Sequence, residues 1–136
     1  MSRAELEVSL TTLGETVERL GEILKEPLSK ADYVLDAAIQ RFEFAVELSW
    51  RTAQRFLAES GVKATLPRDI LQAAFAAGWI GDEALWLRMM RDRNKTSHTY
   101  RKVLALDVYS RLAAYHAAIG QLHAALAARL AAGGGR

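Results

Sequence analysis

The chain has 136 residues, about half of them hydrophobic and a quarter charged, with a formal net charge of +2 and no cysteine. That length is most simply one domain with a real core. The small net charge gives no general case for nucleic-acid binding, and the absence of thiols excludes disulfides, thiolate nucleophiles and Cys-ligated metals. Ala, Leu, Glu and Arg dominate, β-branched residues are sparse and only two prolines occur, a composition that favours helices. The apolar stretches are all broken by charges well short of a membrane span, and nothing has the pattern of a signal peptide, so a cytoplasmic protein without membrane contact is expected.

In chain order, Leu6, Leu10, Leu13, Val17, Leu20 and Leu24 are spaced four, three, four, three and four apart. They form a seam on one face of a first helix that ends before Pro27. Leu35, Ile39, Phe42, Val46, Ser49, Ala53 and Phe56 repeat the rhythm in a second helix. Its expected N-cap is Asp32 and its stop Ser60-Gly61, a length of roughly 40 Å at 1.5 Å per residue. After a linker, Pro67 suits the first turn of a short third helix that stops at Gly78. Asp82 then caps a fourth helix expected to run through Met90. Val108, Leu112, Tyr115, Ile119, Leu122 and Leu126 mark a last long helix. The reading is an all-α protein, an antiparallel up-and-down four-helix bundle with an additional short helix. The domain spans 1–132, with 133–136 a flexible tail. Phe44, Leu48 and Trp50 widen the apolar face of the second helix, enough for a thick monomer core, a homodimer or a partner helix.

Polar chemistry concentrates in Arg93-Asn94-Lys95-Thr96-Ser97-His98-Thr99-Tyr100, inside a stretch where Arg88, Arg91, Arg93, Lys95, Arg101 and Lys102 face a single acid, Asp92. Such a local positive field attracts phosphates or an acidic partner, although a solvated helix end has the same composition. Arg offers a planar fork for phosphate, and His exchanges a proton near neutral pH. Together they suffice for metal-free RNA cleavage, with His98 acting on a 2′-hydroxyl and Arg93 holding the scissile phosphate. Residues five apart on a helix are rotated about 140° from one another. Arg93 and His98 therefore need a helix end, a local break near the hydroxyls of Thr96, Ser97 and Thr99, or a symmetric dimer in order to meet. On spacing alone, a structural cap or a polar seam between helices is the simpler reading.

The string Asp92-Arg93-Asn94-Lys95-Thr96-Ser97-His98-Thr99-Tyr100 resembles the Arg-then-His signature of the HEPN superfamily, and more closely that of its nucleotidyltransferase substrate-binding branch. Gln40-Arg41-Phe42-Glu43-Phe44, then Glu47 and Trp50, and Gly78-Trp79-Ile80 before Trp86 fit the same branch, so the resemblance covers roughly residues 30 to 116. It implies a dimerising helical subunit that binds substrate for a separate minimal nucleotidyltransferase. ATP or another nucleotide would then enter through that partner, not through an intrinsic cofactor. Related HepT-type toxins are metal-independent RNases silenced when the partner attaches AMP to the motif tyrosine. Carried over, Arg93 and His98 become the RNase pair with RNA as substrate, Tyr100 the modified residue, and Asn94 and Asp92 supporting nucleotide-binding positions. Whether the chain is itself an enzyme turns on which of the two roles it plays.

Other sites are weaker. His116 and His123 share a face but lie about 10 Å apart along a helix, too far for one ion, so no metal is expected. Trp50, Trp79 and Trp86 read as core rather than as stacking platforms. Glu43 and Glu47 read as a solvated face or as salt-bridge partners of Arg41 or Arg51. No phosphate loop is present, and no Gly-Ser with paired Asp as a nucleotidyltransferase centre requires, so this chain is not expected to transfer nucleotides by itself.

Overall fold

The computed structural model describes residues 2–98 and 101–133. Among them are five α-helices and no strand: α1 (Arg3–Leu24), α2 (Asp32–Glu59), α3 (Pro67–Ala76), α4 (Glu83–His98) and α5 (Lys102–Ala131), with a 3-10 turn at Leu28–Lys30. The local signals explain most boundaries. Ser2 caps α1 by accepting the Glu5 N–H at 3.1 Å, which satisfies an otherwise orphaned donor, and its hydroxyl donates to the Glu5 carboxylate at 3.0 Å. The chain leaves α2 and α3 through Gly61 and Gly78, both at positive φ (86° and 81°), where a Cβ would be strained. Pro67 opens α3, and the Asp82 carboxylate accepts the Leu85 N–H at 3.0 Å to cap α4.

Two boundaries differ from the sequence reading. Asp32 is the first residue of α2 rather than its cap; the extended Ala31 takes that place without a side-chain bond. And α4 does not stop at Met90 but runs to His98; its hydroxyl-bearing residues bond back to their own helix without breaking it, Ser97 donating to the Asn94 carbonyl at 3.1 Å.

The helices form the expected up-and-down bundle. The pairings Ser9–Arg55 and Arg19–Arg41 run α1 antiparallel to α2, while Lys102–Asp32 and Phe42–Tyr115 run α2 parallel to α5. α2 and α5 are the central pair: α1 packs on both from one side and α4 on both from the other, with α3 against α2 and α4. Every named seam residue of α2 and α5 is buried, as are Leu6, Leu10, Leu13 and Leu20 of α1. Burying each Leu, Ile, Val or Phe side chain among them contributes roughly 1.5–3 kcal/mol. Phe42 stacks on Tyr115 with ring centroids 5.5 Å apart, and Trp79 meets Phe56 edge-on at 6.3 Å. Trp79 and Trp86 are core residues, as read from the sequence, whereas Trp50 is half-buried beneath the Arg51 guanidinium, 5.1 Å from its ring.

His116 and His123 serve packing. Each lies over a glycine of α1, His123 over Gly14 and His116 over Gly21, so close that a Cβ there would meet ring nitrogen at 2.8 and 2.9 Å. His116 Nε2 is also 3.1 Å from the Val17 carbonyl. No cluster of potential metal ligands occurs among the described residues, and none of their helices is long and apolar enough to cross a membrane.

Candidate functional site

Residues 92–98 of the motif occupy the last turns of α4, and their orientation follows from Asp92. This residue is only 1 % exposed. It accepts from Arg111 Nε and Nη2 at 2.8 and 3.0 Å and from the Tyr115 hydroxyl at 2.6 Å, tying α4 to α5. Burial by itself would raise the Asp92 carboxyl, but the bonds from Arg111 and Tyr115 and the charge of Arg111 outweigh it and hold the group below its ordinary value. Bonds to Asp92 and Asp107 push the Arg111 guanidinium further up. Burial, followed by the bond to the anionic Asp92, pushes the Tyr115 phenol up to about 12. Of the two roles open to Asp92, the geometry displays the structural one: both carboxylate oxygens are engaged inside the bundle.

One residue on, and about 100° around the helix, Arg93 points the other way, to α2. Its Nη2 lies 3.3 Å from Glu47 Oε2, while Glu47 Oε1 is held by Arg51 Nη2 at 2.9 Å. Arg93 Nη1 is 3.5 Å from the Ser97 hydroxyl, and its buried Nε has no hydrogen-bond partner among the described residues. Thr96, one turn on, donates to Glu43 Oε2 at 2.6 Å. Glu43 and Glu47 thus form an acidic rail on α2 along which Thr96 and Arg93 are registered, antiparallel. Glu47 holds Arg51, as their i, i+4 spacing predicts, whereas nothing in the sequence joins either glutamate to the motif. The i, i+4 spacing of Glu43 and Glu47 was the available signal, and the helix they would face was not readable from it.

Asn94 is exposed, as are Arg91, Lys95 and Arg101. Basic groups therefore surround the motif while its own arginine is neutralised by Glu47. His98 is the last residue of α4; its side chain, Thr99 and Tyr100 lie outside the described residues, as do 134–136 of the expected tail. Since α4 is unbroken from 93 to 98, these positions are about 140° apart around its axis, and the break anticipated near Thr96 and Ser97 does not occur.

A helical bundle in which a polar Arg93-Asn94 segment and His98 close one of the helices is the class defined by this fold and motif. The chain belongs to the family described as nucleotidyltransferase substrate binding protein like, whose model matches residues 4–128. That bears out the resemblance drawn from the motif. A Haemophilus influenzae protein named probable ribonuclease HepT is 32% identical over 115 residues, 79% of each chain. A crystal structure from Thermus thermophilus superposes with a TM-score of 0.70 at 33% identity, covering 89% of this chain and 98% of the other. A second structure, from Haemophilus influenzae and described as revealing the fold of a substrate binding domain of a nucleotidyltransferase, gives 0.68 at 29% identity, over 92% and 98% of the two chains.

Proposed function

We propose that this chain is the substrate-binding subunit of a two-component system and acts with a separate minimal nucleotidyltransferase. The observation that carries the reading is the family match across nearly the whole bundle, residues 4–128. The Haemophilus substrate-binding-domain structure of the same fold supports it. ATP or another nucleotide enters through the partner, the complex is cytoplasmic, and the subunit pairs as a homodimer. Asn94 and Tyr100 meet the nucleotide or the partner, and Asp92 fixes the rotation of α4 beneath them. The test is co-purification with a tagged minimal nucleotidyltransferase encoded beside this chain. Absence of a stable complex would defeat the reading.

The relative named probable ribonuclease favours a second reading, a metal-independent endoribonuclease toxin. There, His98 takes the proton of an RNA 2′-hydroxyl as it attacks the phosphorus, Arg93 stabilises the phosphate, and the 5′-oxygen leaves. Attachment of AMP to Tyr100 by the partner then silences it. With positions 93 and 98 so far apart around one helix, the pair works across the homodimer. This reading expects growth arrest on expression alone, relief by His98→Ala, and an AMP adduct on Tyr100 peptides after incubation with the partner and ATP. RNA left intact by the pure unmodified protein would decide against it.

A further inference from the structure

A cavity of about 480 Å³ opens at the end of the bundle where α2 and α5 begin, lined by Leu28, Asp32, Leu35, Asp36, Lys102 and Leu106 among others. We propose that this cavity binds a free α-amino acid with an apolar side chain, leucine being the simplest match. Its volume falls within the range of small-ligand sites, which combine apolar walls with a few converging polar groups. Leu35 is buried, Leu28 packs against the core and Leu106 is 42% exposed, so the apolar lining runs from the core to the mouth. Asp32 and Asp36 stand one turn apart on α2, hence on one face, and Lys102 comes from α5. Asp32 and Lys102 are also the first residues of their helices. The positive end of α2 keeps Asp32 anionic, and that of α5 adds to the charge of Lys102.

Charge and spacing select this occupant. Lys102 Nζ and Asp32 Oδ1 are 3.6 Å apart, so charges of both signs meet at one point of the lining. An α-amino acid carries its ammonium and carboxylate on a single carbon and fits that juxtaposition. Its carboxylate takes Lys102, its ammonium takes Asp32 and Asp36, and its side chain lies on the leucines. The Lys102–Asp32 contact is long and both side chains are exposed, so it contributes little by itself and yields readily to a ligand. A simple carboxylic acid would bring a third anion to two aspartates, and a simple amine would meet Lys102. A zwitterion offers each lining charge an opposite one. The cavity also lies where α5 begins, two residues past Tyr100 in the chain. Calling the amino acid the substrate that the subunit presents rests on the nucleotidyltransferase reading; its binding to the isolated chain does not.

The test is calorimetric titration of the full chain, without any partner, using L-leucine, glycine, 3-methylbutylamine and 4-methylpentanoate. Leucine is expected to saturate one site per chain. The amine and the acid, each lacking one charged group, should bind about tenfold more weakly, the loss of one charge-assisted contact. Glycine, which leaves the leucine walls uncovered, should lose at least about tenfold. Asp36→Asn should weaken leucine and the amine about tenfold yet leave the acid no weaker, and Lys102→Met should do the reverse. Thermal melts will show that these surface variants fold, and the ligand series in the parent chain needs no variant. The proposal is overturned if millimolar leucine does not saturate a site, or if either half-ligand or glycine binds as tightly as leucine. It is also overturned if Asp36→Asn or Lys102→Met binds leucine like the parent. The nucleotidyltransferase reading would survive any of these outcomes, since co-purification tests it separately.

Discussion

Replacing Asp92 by Asn removes the charge that joins α4 to α5 and leaves the shape almost unchanged. In the parent protein the Asp92 side chain is 2% exposed and Arg111 17%, so most of the guanidinium loses its counter-charge away from water. Removing one member of a buried pair typically costs about 3–5 kcal/mol. Arg111 keeps Asp107 at 3.0 Å, on a side chain that is 59% exposed, which places the expected loss at the lower end, about 3 kcal/mol. For a chain of this size that is a fall of about 10 °C in melting temperature, to be read by far-ultraviolet circular dichroism at pH 7. Because the Asp92 carboxyl is held below its ordinary value, the stability it contributes is complete above the unfolded carboxylate value. It is lost as pH falls through the folded one. The parent should therefore lose its advantage over Asp92→Asn in acid. The double variant Asp92→Asn/Arg111→Met should recover part of the loss, since no unpaired charge is then buried. A melting temperature unchanged within about 2 °C, or a double variant that loses the sum of the two single losses, would refute the buried-pair account.

Three further outcomes are expected. In an alkaline absorbance titration, Tyr115 should ionise near pH 12, and Tyr115→Phe should abolish that late step. A raised folded value means its contribution, on the order of 2–3 kcal/mol, is present below about pH 10 and lost as pH rises through about 12. Gly14→Ala should gain little in the parent, because the new methyl meets the His123 ring; in a His123→Ala background, urea unfolding should show it stabilising by about 1 kcal/mol, its helix-propensity gain. Asp82→Ala, which leaves the Leu85 N–H without its cap, should cost about 1 kcal/mol in the same assay.

The bundle was largely legible because its helices advertise themselves by spacing. Leu35 through Phe56 and Val108 through Leu126 are buried at every seam position, and Pro67, Gly78 and Asp82 mark the connections where local chemistry requires them. What escaped depends on partners distant in sequence. Apolar periodicity fades after Met90, so the last turns of α4 were not visible as helix. They persist because Asp92 is clamped by residues 19 and 23 positions later. Thr96 likewise finds Glu43, 53 positions earlier. Neither contact has a local signature. Asp32 failed for the opposite reason: a residue type suited to capping sits one place inside a helix whose start is set by the extended Ala31.

The burial of Asp92 beside the candidate motif has a consequence for the genetics of this protein. Its side chain keys α4 against α5 the way a spline keys a shaft, so the direction in which Arg93 and Asn94 are presented is set one residue upstream of them. A substitution at Asp92 can therefore abolish activity by turning the helix, without any part in the chemistry. Loss of function there will look catalytic until the melting temperature of the variant is measured alongside it.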